Sequence, residues 1–529
     1  MNTTHNSPDS APVLIVGGSL VGLSAAMFLA ARGVPVVVVE KHAGSSLHPR
    51  AIGYTTRTLE LFRSVGVEVP VSAHQGAPRR ARVESLAGNW IEEYPWTPGR
   101  GPQPQAEYSP VGATAIPQDK LEPILRERAR ELGAELRQRT ELLAFTQDDS
   151  GVSATLRRRD DDHEYTFRAR YMIAADGATS PVREALGIAR TGEGLLSVQR
   201  SILFTAPIDH YLDKGVVQFE IEQPDFKAFL TTYSDGRWVL MLSDDAEHPD
   251  DERKALVRRA IGLDDVAVEV ITTGRWELAA LIAEKFSAGR VFLAGDAAHQ
   301  LPPNRGGFGA NTGIDDVHNL AWKLAAVLSG ESGPRLLDSY DAERRPIAEL
   351  RHEQIFARAD YKAYLRGPRT DVAVLDDNAI ELGQLYRSDA VIGAGPELPA
   401  ARRPDEWAGQ PGTRAAHLPI TDGAKTSTLD LFGRGWVVLS EDGRWARATE
   451  RAAGQLGLPV TFVRIGVDVE PGESFGGAYG LTDSGATLVR PDGYIAWRAV
   501  SAPDDPAAEL TDALARVAAA HVSATPSPR

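Results

Sequence analysis

The sequence predicts an α/β protein of about three domains, built on a parallel sheet whose strand ends converge on one crevice. Three observations predict it. Short apolar runs at Val13 to Val16, Tyr171 to Ala175 and Val291 to Ala294 each pass into a Gly turn and then a helical pattern, as buried parallel strands do. A strand-rich region separates the last two runs, and a second series of strands and helices follows a Pro- and Gly-rich stretch near residue 400. With 529 residues and 43% hydrophobic content, the chain can bury a large core.

The first run leads into Gly17, Gly18, Ser19, Leu20, Val21 and Gly22, then an apolar helical pattern to Ala31 and a stop at Gly33. A β-rich run, Val34 to Val39, closes on Glu40, 18 residues after Gly22. That layout sets a pyrophosphate on a helix N-terminus and a carboxylate on a ribose hydroxyl. Ser19 occupies the middle glycine position of the fingerprint and is small enough to keep the reading. Gly192 and Gly393 each begin a GxG that lacks a third glycine and a closing acid, so both read as loops. With no second complete fingerprint, a dedicated nicotinamide domain is not expected.

The second run, YMIAADGATSPVREALG, delivers Asp176 into a turn at Gly177, with Ser180 as a helix N-cap and Arg183 inside the helix. In the third, RVFLAGDAAHQLPPNRGGFGAN, a strand delivers Gly295 and Asp296, followed by a Pro pair and a glycine-rich loop at the head of a helix. A carboxylate beside such a loop suits a polar, phosphate-bearing ligand. Taken singly, a GD after a strand is an ordinary turn; three such pieces in this order point to one site.

The trio GGSLVGL with Glu40, DGATSPVR and GDAAHQLPPNRGGFGANTGIDDVHNLAWKL resembles the class A FAD-dependent aromatic hydroxylases, the superfamily of para-hydroxybenzoate hydroxylase and phenol hydroxylase. Within it the chain looks closest to bacterial polyketide hydroxylases such as aklavinone 11-hydroxylase. The likeness extends over HPRAIGYTTRTLELF, PQDKLEPIL and LLDSYDAERRP. It implies a Rossmann-like FAD-binding domain of the GR2 type (residues 11–80, 110–190 and 276–392), with an inserted antiparallel β-sheet substrate domain (81–109 and 191–275). A linker (393–412) and a thioredoxin-like C-terminal domain (413–529) would complete the chain.

The resemblance also implies roles. Gly17, Ser19, Gly22, Glu40 and Lys41 would hold the pyrophosphate and adenosine ribose, and Arg50 and Gln118 the flavin half. Asp176 with Gly177 would serve both FAD and the nicotinamide, and Gly295 with Asp296 the ribitol and pyrophosphate. Pro302 and Pro303 would line the reactive face of the ring, while Gly306, Gly307, Gly309, Ala310 and Asn311 would supply backbone contacts to it. The family loop has one residue between its Pro and Gly pairs; this chain has Asn304 and Arg305, which offers Arg305 as an extra contact. Catalytic positions are expected among Arg50, Pro302, Pro303, Arg305 and His299, with His299, Arg305 and His210 left open as the group that handles the substrate proton. The activity implied uses NADPH or NADH and O2 to hydroxylate a phenolic, polycyclic, polyketide-like substrate through a flavin C4a-hydroperoxide. Baeyer–Villiger insertion or epoxidation of a quinone is the close alternative, and a flavoprotein that binds its aromatic ligand without oxidising it is the third.

In the strand-rich region, Ser201 to Ala206, Val216 to Ile221, Phe229 to Tyr233 and Trp238 to Leu242 read as an antiparallel sheet. Phe219, Phe229, Trp238 and Met241 lie on it, mainly as core, with one or two open to a flat ligand. Helices are expected from Thr312 to Leu328 and Pro346 to Arg366. Strands follow at Leu429 to Phe432, Trp436 to Ser440, Val460 to Ile465, Ala486 to Arg490 and Tyr494 to Arg498, around helices Ala446 to Leu456 and Ala507 to Ala520. The chain has no Cys, which excludes disulfides, thiolate metal sites and thiol redox chemistry, and no metal is expected. A net charge of −15 argues against nucleic acid or an anionic membrane surface as partner. The polar opening lacks a secretory pattern, so a cytoplasmic enzyme, monomer or homo-oligomer, is expected.

Overall fold

The computed structural model describes residues 9–48, 51–70, 79–95, 108–303, 307–357, 371–422, 425–471 and 474–520. Arg50, Asn304, Arg305 and Gly306 lie outside them. Among the described residues, five parallel strands stand side by side in the order Val291–Leu293, His163–Ala174, Ser10–Val16, Val36–Glu40 and Glu135–Gln138. The central three read almost wholly apolar at their carboxyl ends because helices cover both faces of such a sheet. The helix Leu20–Ala30 is buried on nearly every side, since the helices Phe308–Ser329 and Gln118–Glu131 both pack against it.

A second sheet of eight strands runs His299–Gln300, Glu269–Ala283, Arg190–Thr205, Arg237–Leu242, Phe226–Thr232, Val216–Gln223, Arg79–Val83 and Trp90–Pro95. The strand predicted to start at Ser201 starts instead at Arg190. Its register against Glu269–Ala283 shifts between Gly192 and Gly194, between Leu195 and Ser197, and between Leu203 and Phe204. Such bulges bend a strand, so this long pair curves along its length, all of it within the second sheet. Glu269–Ala283 runs unbroken through residue 276, and all of it belongs to this second sheet.

The two faces of this sheet differ. Ile202, Phe204, Phe219, Leu230, Trp238 and Leu240 form one core with Val257, Ala260 and Ile261 of the helix Asp250–Ile261. Phe219 and Trp238, both 0% exposed, are therefore core. Leu203, Val239, Met241 and Tyr233 occupy the other face and meet Ile52 of the first module.

Two helices depart from expectation. The helix predicted from Pro346 spans Asp338–Ala357 with Pro346 inside it. Ion pairs made by Glu343 and Arg344, in the turn before the proline, anchor the helix through it. Leu429 to Phe432 is a 3-10 turn, Thr428–Leu431, not a strand, because Ser427 and Asp430 form a capping box around it.

The stretch 393–412 is packed rather than a loose linker. Trp407 is buried and its indole N–H donates to the Gly383 carbonyl at 2.7 Å, while Leu385 N–H donates to Ala400 O at 2.9 Å. Beyond it a four-stranded sheet runs Val460–Arg464, Trp436–Ser440, Ala486–Val489, Ile495–Ala499, parallel across the first pair and antiparallel across the others. With the helices Arg444–Leu456 and Pro506–Val517 this is the thioredoxin-like order. Trp436 meets Trp322 of the first module edge to face, 5.7 Å between centroids, and the two cores are continuous.

Candidate active site

The three acid-bearing turns leave adjacent strand ends. Gly17 N–H donates to Val39 O (2.9 Å), Ala175 N–H to Val16 O (2.8 Å) and Ala294 N–H to Ala174 O (3.0 Å). Gly17, Asp176 and Gly295 thus face the crevice outside the carboxyl ends of a parallel sheet, where ligands of such sheets bind. At Gly22 a Cβ would come within 1.8 Å of Gly17 O, so only glycine lets the helix begin this close to the turn. Ser19 does not cap that helix: its hydroxyl donates to Glu122 Oε1 (2.6 Å) and accepts from Gln118 Nε2 (3.0 Å). The first-turn amides are left without a side-chain cap, a seat for a phosphate. Glu40 accepts from Gly18 N–H (2.7 Å) and His42 N–H (2.8 Å), beside a small pocket lined by Gly18, Leu23, Val38 and Arg126. Lys41 next to it is exposed.

The Gly295 turn is held from behind. Asp316, on the helix Phe308–Ser329 and fully buried, accepts from Gly295 N–H (3.2 Å), Arg344 Nε (2.8 Å) and His299 Nε2 (2.7 Å). Burial works to raise the Asp316 carboxyl, but His299 and Arg344 outweigh it and hold it below its ordinary value. Gly295 itself has φ +60°, and a Cβ on Gly313 would reach to 2.7 Å of Gly295 Cα and 2.6 Å of Val21. The first and third fingerprint pieces therefore touch, and the second meets the first, since a Cβ on Gly17 would lie 2.2 Å from Ala175 O. Asp296, half-buried, projects from this turn toward Gly309.

Asp176 accepts from the Ser180 hydroxyl (2.6 Å) and from Val182 N–H (3.1 Å), and burial raises its carboxyl above the ordinary range. Ser180 caps the short helix Pro181–Ala185, accepting from Arg183 N–H. The buried Arg183 guanidinium donates to Ala178 O (3.2 Å), Thr179 O (3.1 Å) and Ala297 O (3.0 Å), tying the Asp176 turn to the Asp296 turn. No local pattern marked this role; it depends on two segments 114 residues apart.

The glycine loop ends at Gly307 and Phe308. Asn311 locks it to the loop of residues 51–55: its side-chain amide donates to Gly53 O (3.1 Å) and Gly307 O (2.9 Å) and accepts from Thr55 N–H (3.0 Å) and the Thr58 hydroxyl (2.6 Å). Its side chain thus braces the loop, while Gly307, Gly309 and Ala310 stay half-buried at the helix head. Pro302 is buried and Pro303 exposed. Gln118 bridges the pieces, accepting from Ala51 N–H at 3.3 Å while donating to Ser19.

Two proton-handling candidates are corrected. His299 is 0% exposed, bound to Asp316 and packed 5.8 Å from the Phe286 ring, so its ring faces the core. His210 lies on the exposed 3-10 turn Asp209–Lys214 against Tyr211. Arg305 and Arg50 fall outside the described residues. What does face the first module is a wall whose register-mates are Gly274, Ser201, Met241 and Phe229 in one row and Thr272, Leu203, Val239 and Thr231 in the next. Trp276 and Gln199 begin a third row. Trp276, half-buried, had no signal in a strand whose partners were unknown.

Uncapped amides at Ser19, a carboxylate at Glu40 and a half-buried acid at Asp296 suit the pyrophosphate, ribose and ribitol of FAD, and the wall of the second sheet faces that crevice. Such a crevice under such a wall defines a flavoprotein with a separate substrate layer. Residues 10–354 match the family model of the FAD binding domain, and residues 408–520 that of the aromatic-ring hydroxylase C-terminal domain. The chain belongs to the FAD-dependent aromatic-ring hydroxylases, which are monooxygenases. It is 42% identical to 4-methyl-5-nitrocatechol 5-monooxygenase of Burkholderia sp, covering 96% of this chain and 97% of that one. It is 40% identical to tetracenomycin A2 monooxygenase-dioxygenase of Streptomyces glaucescens, over 98% and 99%. Among solved structures, the ternary complex of aklavinone-11 hydroxylase with FAD and aklavinone superposes with a TM-score of 0.85 at 36% identity, over 98% of this chain and 100% of that one. Among the described residues no helix is long and apolar enough to cross a membrane.

Proposed function

We propose that this monooxygenase hydroxylates a phenolic, polycyclic aromatic compound of the polyketide type, taking electrons from NADPH or NADH. The observation that carries the substrate class is the wall. Its row from Gly274 through Ser201 and Met241 to Phe229 crosses four strands, about 14 Å at the usual strand spacing. A strip of that length, apolar at Met241 and Phe229, fits a flat system of several fused rings better than a single ring. Relatives named for tetracenomycin and aklavinone support the same class.

Bound FAD supplies the activation of dioxygen and the transfer of one oxygen atom to the ring. The chain's own work is to seat and shield. Gly17, Ser19, Gly22 and Glu40 hold the adenosine end with Lys41 at the rim. Asp176 and Asp296 take the central hydroxyls and phosphates, and Gly307, Gly309, Ala310 and Asn311 shape the seat of the ring. Ile52, Leu203, Val239 and Met241 keep water from the reacting carbon. The purified protein is expected to be yellow and to oxidise NADPH faster with naphthols, anthraquinones or anthracyclinones than with monocyclic phenols. A preference for monocyclic phenols would overturn the polycyclic reading; a product lacking one added oxygen would overturn hydroxylation.

A further inference from the structure

We propose that Arg190 binds the pyrophosphate of the reducing nicotinamide nucleotide. The inference rests on the NADPH or NADH reading above. Arg190 opens the strand Arg190–Thr205, at the end of the second sheet that lies beside the Asp176 turn. Its Nη1 donates to Ala178 O (3.2 Å), in that turn, and to Gln300 Oε1 (2.5 Å), two residues before Pro302. One guanidinium thus spans from the second acid turn to the segment that enters the glycine loop. That nitrogen fixes the half-buried side chain. Nε and Nη2, which form one edge of the planar fork, make no hydrogen bond among the described residues and are not buried.

What this corner lacks is a negative charge. Arg183 and Arg190 both lean on the Ala178 carbonyl, and neither forms an ion pair among the described residues. Burial and then the charge of Arg190 lower the pKa of Arg183, with Asp176 and Glu184 opposing from beyond ion-pair reach. The Asp176 oxygens accept from Ser180 and Val182 instead. Other arginines of the second sheet are matched: Arg200 and Arg275 with Asp245, and Arg237 with Asp119. Two neighbouring cations without a counter-charge draw an anion to whichever of them is open. Arg183 is buried, so the open one is Arg190.

The chain's own design narrows the anion to a second dinucleotide. The uncapped amides of the helix Leu20–Ala30 already provide for the pyrophosphate of FAD. With no second complete glycine fingerprint in the sequence, the phosphates of a second nucleotide need side-chain donors. A free Nε and Nη2 edge offers a phosphate two parallel N–H bonds. The turn itself stands open, since a Cβ on Gly177 would meet nothing within 4 Å. From Gln300 to Pro302 is two residues, about 7 Å of extended chain. A nicotinamide ring lying by the Pro pair therefore trails its ribose and pyrophosphate back toward Arg190.

The test uses the FAD-loaded protein without oxygen and follows bleaching of the flavin by stopped flow. Arg190→Gln should raise the Kd for NADPH and NADH at least about tenfold, with the limiting bleaching rate nearly unchanged and FAD content full. Reduction by N-benzyl-dihydronicotinamide, which carries no phosphate, should proceed equally in both proteins. Added salt should raise the nucleotide Kd of wild type and raise that of Arg190→Gln less steeply. Arg190→Lys keeps the charge without the fork and should fall between the two, which covers a Gln variant that fails to fold. An unchanged nucleotide Kd in both variants overturns the proposal, as does an equal loss with the benzyl compound. Weakened FAD binding in place of weakened nucleotide binding also overturns it, since Arg190 would then serve the flavin's own phosphates. A wild type bleached by the benzyl compound but by neither nucleotide sinks the reductant reading and this proposal together; a normal nucleotide Kd in the variants sinks this proposal alone.

Discussion

Asp296 and Asp316 show how two acids in one helix-loop unit take different jobs. Asp316 is sealed behind the turn with three donors; Asp296 remains half-open toward the crevice. Replacing Asp296 by Ala removes a half-buried acceptor at the strand ends without opening the core. The variant should keep its melting temperature yet bind FAD at least about tenfold more weakly, a loss of roughly 1.4 kcal/mol. Flavin content after gel filtration and titration of the apoprotein read this, and undiminished occupancy would show that Asp296 does not hold the cofactor. Asp296 was legible because strand, turn and acid are contiguous. Asp316 was not: its partners Arg344 and His299 lie 28 and 17 residues away, and within the helical pattern it was only a polar residue.

At the scale of elements, the helix Phe308–Ser329 carries most of the site's geometry. Its Gly313 would ordinarily be a weak point, since Ala in a helix interior is favoured over Gly by about 1 kcal/mol. Here a Cβ would press to 2.6 Å of Val21 and 2.7 Å of Gly295 Cα. Overpacking against backbone costs about 1–3 kcal/mol and cannot relax without moving the Gly295 turn. Gly313→Ala should therefore lower stability in a urea titration and weaken FAD binding together. A gain in stability would mean that the helix and turn slide apart freely. The second sheet gives the complementary lesson. Alternation in Trp238 to Leu242 was readable, but which face met a helix and which met the flavin module was decided by Asp250–Ile261 covering one of them.

The whole molecule is joined by buried charge. Arg490, from the C-terminal domain, pairs with Glu343 at 2.6 and 2.9 Å, and Lys323, Asn319 and Ser388 complete the Glu343 shell. Arg414 holds Glu60 (2.9 Å to Oε2), which also meets Arg57, and Arg57 and Arg344 share Asp315. Removing one partner strands the others in a dry interior. Arg490→Gln should thus destabilise by about 3 kcal/mol, and calorimetry should still show one transition because the two cores are continuous. Two separated transitions would deny the coupling.

The same network sets the acid response. Burial raises the Asp315 carboxyl, but Arg344 and Arg57 prevail and bring it down to about 2. Asp316, Glu343, Glu60 and Asp492 are held low in the same way. Their stabilisation is fully present above the unfolded carboxylate range and is lost as pH falls through the depressed folded values. Melting temperature should be flat above about pH 5 and drop between about pH 4 and 2, with about 2 kcal/mol from Asp315 alone. A melting temperature unchanged down to pH 3 would contradict it.

The sequence by itself determined the parallel sheet, the three acid turns and the order of the domains, because each is written in contiguous residues: an apolar run, a glycine, an acid, a helix. It misjudged the stretch 393–412, where Pro and Gly mimic a linker, and the turn at Thr428–Leu431, where a capping box overrides a strand-like pattern. Only the tertiary structure decided that His299 serves Asp316 and that Asn311 braces the loop of residues 51–55. Those choices depend on contacts between segments far apart in the chain, and local chemistry cannot fix which distant partner a side chain will meet.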